Sequence, residues 1–179
     1  MDTLRDHRRA NEGDHVKDAW ILVLIGAMVI AAVVGLLPER HEPPKVAPDF
    51  SLISLDGEVV RLSDHRGQVV ILDFWASWCA PCKRTFPGLH ELHAQFEDRG
   101  VVLLVVSLDR SEEASQEYLS EHGFPTDNVL WGSVAEARAI KELYDVHGIP
   151  HTFVIDRDGL IRFSGYPSWI DEETLAPWL

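Results

Sequence analysis

Cysteine is scarce in this chain: there are two among 179 residues, Cys79 and Cys82, with two positions between them. A small secreted domain that staples itself needs several pairs closing long loops, and a bridge between such near neighbours constrains little of the unfolded chain. The scarcity also speaks against a structural zinc site, which takes about four ligands. His90 and His93 lie two to three turns along the helix expected to follow the cysteines, too far to share one ion with the thiols, and read as surface-helix residues. Positive charge is short as well, with 16 Lys and Arg against 29 Asp and Glu, a net charge of −13. A nucleic-acid surface needs clustered positive charge, so that class of partner is excluded. Internal repeats and low-complexity tracts are absent, which excludes solenoid and repeat architectures.

One stretch lacks charge altogether. Ala19 to Leu37 reads AWILVLIGAMVIAAVVGLL, and as a helix it reaches about 28 Å, one hydrocarbon core. It shows no polar stripe of the kind a soluble buried helix carries. It ends without the small-x-small site of a cleaved signal peptide, so it reads as an uncleaved transmembrane anchor. Arg5, Arg8, Arg9 and Lys17 precede it and only Arg40 and Lys45 follow closely, which places the N-terminus in the cytoplasm. The organisation expected is a cytoplasmic tail over 1–18, an anchor over 19–37, a Pro-rich linker over 38–45 and a domain over 46–179. The linker reading rests on Pro38, Pro43 and Pro44, with Pro48 just beyond, a density that favours an extended spacer. The domain carries 22 acidic against 10 basic residues, a net of −12, which serves solubility or a basic protein partner.

Within it, Phe50–Leu55 and Glu58–Leu62 predict a hairpin around a two-residue Asp56-Gly57 turn. Val69–Trp75 and Val101–Ser107 are continuous apolar runs, the pattern of strands covered on both faces. Helical spacing follows over 81–97, and Ser111–Glu121 and Ser133–Tyr144 open on serines suited to an N-cap, with glutamates at or near the third position. Thr152–Ile155 is a strand that an Asp158-Gly159 turn joins to Leu160–Phe163, and Asp171–Leu179 closes as a short helix. Alternation of strand and helix, ending in a hairpin, predicts an α/β fold with a mixed sheet flanked by helices.

With staple and zinc set aside, redox chemistry remains for the two thiols. Cys79 falls where strand gives way to helix, near free N–H groups and the positive end of the helix dipole, which favours a thiolate. Pro81 suits a first helical turn. Cys82, one turn in, is the shielded resolving thiol. Asp73 interrupts the apolar run six residues before Cys79. A buried carboxyl with a raised pKa is a fitting acceptor for the Cys82 proton; a strand-end aspartate capping a turn is its bland alternative, against which stand Phe74 and Trp75, which carry the run onward.

These residues resemble the thioredoxin superfamily, and within it the membrane-anchored TlpA/ResA-like thiol–disulfide oxidoreductases. The resemblance rests on FWASWCAPC (74–82), Lys83, Pro87, GIP (148–150) and TFVIDRDG (152–159), and runs from about Ala47 to Leu179. It implies a thioredoxin fold with an N-terminal hairpin and a central TlpA-like insertion. It implies a cis Pro150 against the active disulfide, substrate contact through Ile149 and Pro150, and Trp78 as a cover beside Cys79. Two positions depart from it: Thr85 stands where several ResA-like proteins carry glutamate, and Asp73 stands where asparagine is frequent. The acid–base role is therefore assigned to Asp73. His151 replaces the usual threonine and reads as a polar strand residue.

The resemblance further implies a reductant on the extracytoplasmic (periplasmic) face of the cytoplasmic membrane. It would need no cofactor or metal, act on disulfides of exported proteins such as apocytochrome c, and draw electrons from an integral membrane carrier of the DsbD/CcdA type. The alternatives are a disulfide-forming oxidase on the same fold and a copper-binding assembly factor drawing on His147 and His151. A peroxidase of the peroxiredoxin type is disfavoured by Ala76, which stands three residues before Cys79 where a threonine would be needed.

Overall fold

A computed structural model of the chain describes residues 23–29 and 44–179. The chain divides into two compact units, residues 1–43 and 44–179. In the first, residues 23–29 are helical. No helix among the described residues is long and apolar enough to cross a membrane. The expected tail over 1–18, the rest of the 19–37 span and the linker as far as residue 43 lie outside the described residues.

The second unit is built on a seven-stranded mixed sheet. Its strands are β1 (Ser51–Ser54), β2 (Val59–Arg61), β3 (Val69–Trp75), β4 (Val101–Ser107), β5 (Val129–Trp131), β6 (His151–Ile155) and β7 (Ile161–Gly165). They lie in the order β2-β1-β5-β4-β3-β6-β7. Four helices connect or close them: α1 (Ala80–Phe96), α2 (Glu112–His122), α3 (Val134–Leu143) and the short α4 (Glu172–Leu175). β3 runs parallel to β4 and antiparallel to β6. All seven residues of β3 are buried, as its unbroken apolar pattern predicts for a central strand.

Strand alternation sorts the core into two layers. Val69, Ile71 and Trp75 of β3 join Phe86, Leu89 and Phe96 of α1 and Leu119 of α2 on one face. Val70, Leu72 and Phe74 join Ile140 of α3, Tyr144 and Phe153 on the other. The packed unit reaches back to the end of the expected linker, because the Lys45 carbonyl accepts from the Ile161 N–H at 2.8 Å.

Three expectations are corrected. The β1–β2 connection is a three-residue loop, Leu55–Gly57, since Ile53 pairs with Val59. Gly57 sits at φ +88°, the left-handed position such a loop requires, and Leu55 turns inward into the core. The final helix breaks after Leu175 into a 3-10 turn over Ala176–Trp178, because Pro177 offers no N–H to continue it. β5 lies in a segment expected to hold only helix and loop. It pairs with β4 and β1 and ties the hairpin to the central strands.

Candidate functional site

Cys79 and Cys82 are joined as a disulfide with their Cα atoms 5.2 Å apart. Cys79 is the N-cap of α1, in extended conformation, and its Sγ accepts the Cys82 N–H at 3.2 Å. The helix begins here because Cys79 is the last extended residue and its carbonyl takes the first helical bond, from Lys83 N–H at 3.1 Å. Pro81, in the first turn, lacks only a donor the helix would leave unpaired. A thiolate on Cys79 thus has an N–H aimed at it and the helix dipole behind it. Both sulfurs belong to the core in this oxidised form. Cys79 is 4 % exposed and Cys82 1 %, so the contrast between an open nucleophile and a shielded partner is slight.

Asp73 lies in the middle of β3 between Val105 of β4 and Thr152 of β6. Alternation turns it to the α1 side with Ile71 and Trp75, the layer that holds both cysteines. It is 2 % exposed. The Thr152 hydroxyl donates to its Oδ1 at 2.6 Å. Burial pushes the carboxyl up to about 7, against the partial offset of the Thr152 hydroxyl and the Phe74 N–H. Such a carboxyl exchanges its proton near neutral pH, the range in which an acid–base partner is useful.

The residues expected to flank the disulfide are aromatic and apolar. Trp78 stands 65 % exposed immediately before Cys79. Ile149 is half-buried, and the Ile149–Pro150 peptide is cis, with Pro150 buried. Trp78 and Ile149 open onto a groove of about 540 Å³ that continues along α3.

A second carboxylate holds the loop before Cys79, and sequence reasoning missed it. Asp109 is 1 % exposed and accepts the Ser77 N–H on both oxygens at 3.1 Å and the Ser77 hydroxyl at 2.9 Å. It also accepts from Ser107 at 3.2 Å and Ser115 at 2.7 Å. The parallel register that sets Trp75 beside Ser107 brings Ser77 to Asp109 across 32 residues of sequence. No local motif announces this; only the strand pairing does.

The remaining residues singled out in the sequence have other partners. The Thr85 hydroxyl donates within its own helix, to the Cys82 carbonyl at 3.2 Å and to the Pro81 carbonyl at 3.4 Å. Lys83 lies over the Tyr118 ring, 4.8 Å from its centroid. His151 shares a hydrogen bond with Ser164 through Nε2 at 2.9 Å, and burial followed by the nearby His147 lowers its pKa. His147 is exposed and sits 3.5 Å from Asp145. His90 departs from its surface reading: it wedges between Phe86 and Phe124, with ring centroids 4.6 and 5.0 Å away. Burial, with His93 nearby, lowers its pKa to about 4. Among the described residues, no group of three or more His, Cys, Asp or Glu side chains is placed to hold a metal ion.

Residues 43–164 match the model of the AhpC/TSA family. A thiol-disulfide oxidoreductase ResA of Oceanobacillus iheyensis is 35% identical over 154 residues, which cover 82% of this chain and 77% of that protein. The crystal structure of a thiol:disulfide interchange protein DsbE from Chlorobium tepidum is 35% identical, with a TM-score of 0.62, covering 70% of this chain and 85% of that one. The crystal structure of a thiol-disulfide oxidoreductase from Bacteroides vulgatus is 28% identical, with a TM-score of 0.67, covering 79% of this chain and 99% of its own.

Proposed function

Because the chain belongs to the AhpC/TSA family, among its ResA-like thiol–disulfide oxidoreductases, we propose that it acts as a membrane-tethered reductant of disulfides in exported proteins, apocytochrome c among them. The observation that carries the reading is the Cys79–Cys82 pair capping α1, in the same layer as a buried carboxyl that titrates near neutrality. The uncharged run Ala19–Leu37 supports a single-pass anchor with the N-terminus in the cytoplasm and the catalytic domain outside.

In this reading the reduced enzyme attacks through the Cys79 thiolate. A bond forms between Cys79 Sγ and one substrate sulfur, and the other substrate sulfur leaves as a thiolate. Asp73, ionised, takes the Cys82 proton, directly or through a water. Cys82 Sγ then attacks Cys79 Sγ and displaces the second substrate sulfur. Two electrons have passed to the substrate and the enzyme disulfide has closed. Trp78, Ile149 and Pro150 hold the substrate segment against the sulfurs. An integral membrane carrier of the DsbD/CcdA type returns the dithiol, and no cofactor takes part.

The deciding measurement is the reduction potential of the Cys79–Cys82 couple in the full chain, equilibrated against a thiol buffer. A value at or below roughly −220 mV is expected of a reductant, and a value closer to about −120 mV would make the chain a disulfide-forming oxidase instead.

A further inference from the structure

The groove beside the disulfide differs in charge from the rest of the domain. Its apolar wall is formed by Leu108, Val134, Ala137 and Val146, and it opens at Trp78 and Ile149. Along its rim stand Arg138 and Lys141, three positions apart on α3 and so on one side of the helix. Glu142 is the only carboxylate among the groove's lining residues. Among the described residues neither cation is within salt-bridge distance of a carboxylate, the pairs formed being His147–Asp145 and Arg162–Asp156. Arg138 is exposed and Lys141 half-buried. In a domain where acidic residues outnumber basic ones 22 to 10, two such cations along a groove that opens at Trp78 are a local inversion of sign.

Resting on the reductant reading above, we propose that this groove selects substrates in which an extended segment next to the target cysteine carries apolar and acidic side chains. The apolar side chains lie against Val134, Ala137 and Val146, and the carboxylates meet Arg138 and Lys141. The net negative charge of the domain as a whole disfavours such a segment, and the groove offers it two cations, which favours arrival there. Complementary rim charges of this kind act on encounter and choice of partner more than on chemistry.

The test uses the reduced full chain and two disulfide-bonded peptides of equal length and apolar content. One carries glutamates next to its cysteines and the other lysines. The acidic peptide is expected to be reduced with a kcat/KM about tenfold higher at low salt, close to 1.4 kcal/mol and within reach of two rim charge pairs. The preference should shrink in concentrated salt. R138E/K141E should reverse it, and R138Q/K141Q should abolish it; each is read as the ratio between peptides within one variant, which loss of folded protein does not change. Equal rates for the two peptides would overturn the proposal and leave the oxidoreductase reading intact. Reduction of neither would remove both. A salt-dependent preference that persists in both variants would place selection elsewhere on the surface and overturn the proposal. Light scattering showing a dimer that Trp78→Ser dissociates would assign the groove to a second copy of the chain, also overturning it.

Discussion

At the scale of single residues, two of the buried carboxylates stand in opposite surroundings. Asp109 is surrounded by donors from Ser77, Ser107 and Ser115, whereas Asp73 has one side-chain donor and titrates near 7. An unfolded aspartate titrates near 3.9. The native state therefore keeps its Asp73 proton longer than the unfolded chain does. Stability falls as pH rises from about 4 to 7, and above 7 the penalty is complete, at most about 4 kcal/mol. Asp73→Asn should therefore raise the denaturant midpoint at pH 8 and leave it nearly unchanged at pH 4. The same substitution should slow substrate release above pH 7, where the carboxylate is the proton acceptor. A more stable and slower variant separates an acid–base role from a structural one; unchanged release rates from pH 6 to 9 would return Asp73 to structure alone. Asp73 was legible in the sequence because a charge inside an apolar strand is conspicuous. Asp109 follows its strand in SLD, an ordinary strand end, and acquires meaning only when β4 aligns with β3.

Among the elements, the helix starts show how far local pattern reaches. Ser133 and Glu136 form a reciprocal capping box, with the Ser133 hydroxyl accepting the Glu136 N–H at 3.3 Å and Glu136 accepting the Ser133 N–H at 2.8 Å. Ser111 makes no side-chain cap bond. Its glutamates occupy the first two helical positions and Ala114 the third, so the reciprocal capping box does not form. Ser133→Ala should cost about 1 kcal/mol in chemical denaturation, and Ser111→Ala only a few tenths. Equal losses would mean that the hydrogen bonding, as opposed to the serine alone, is not what matters. The long central strands and α1 were readable from apolar runs and helical spacing. β5 was not, because its three residues carry no period of their own and become a strand only by pairing with β4 and β1. The hairpin was legible as a hairpin but not in its loop length, which is set by the inward turn of Leu55.

On the scale of the whole molecule, the redox couple and the fold are one equilibrium. A reductant is a chain whose native structure favours the disulfide over the dithiol, and a strong oxidant is one whose reduced form is stabilised. If this protein reduces its partners, the oxidised full chain should unfold at a higher denaturant midpoint than the reduced chain, with equal slopes. The reverse order would point to the oxidase. The mixed α/β architecture was legible from element order, and the two-layer core followed from strand alternation. The placing of Arg138 and Lys141 in one groove with Trp78 was not, since α3 lies far along the chain from Cys79 and only the closed sheet brings the two together. The same long-range assembly bears on biosynthesis. Thr152, the hydroxyl partner of Asp73, is translated 79 residues after it, which at about 5–20 residues per second is roughly 4–16 s. For most of that interval the growing polypeptide carries both thiols and their carboxyl neighbour without β6, the strand that supplies the hydroxyl partner of Asp73 and follows the cis Pro150.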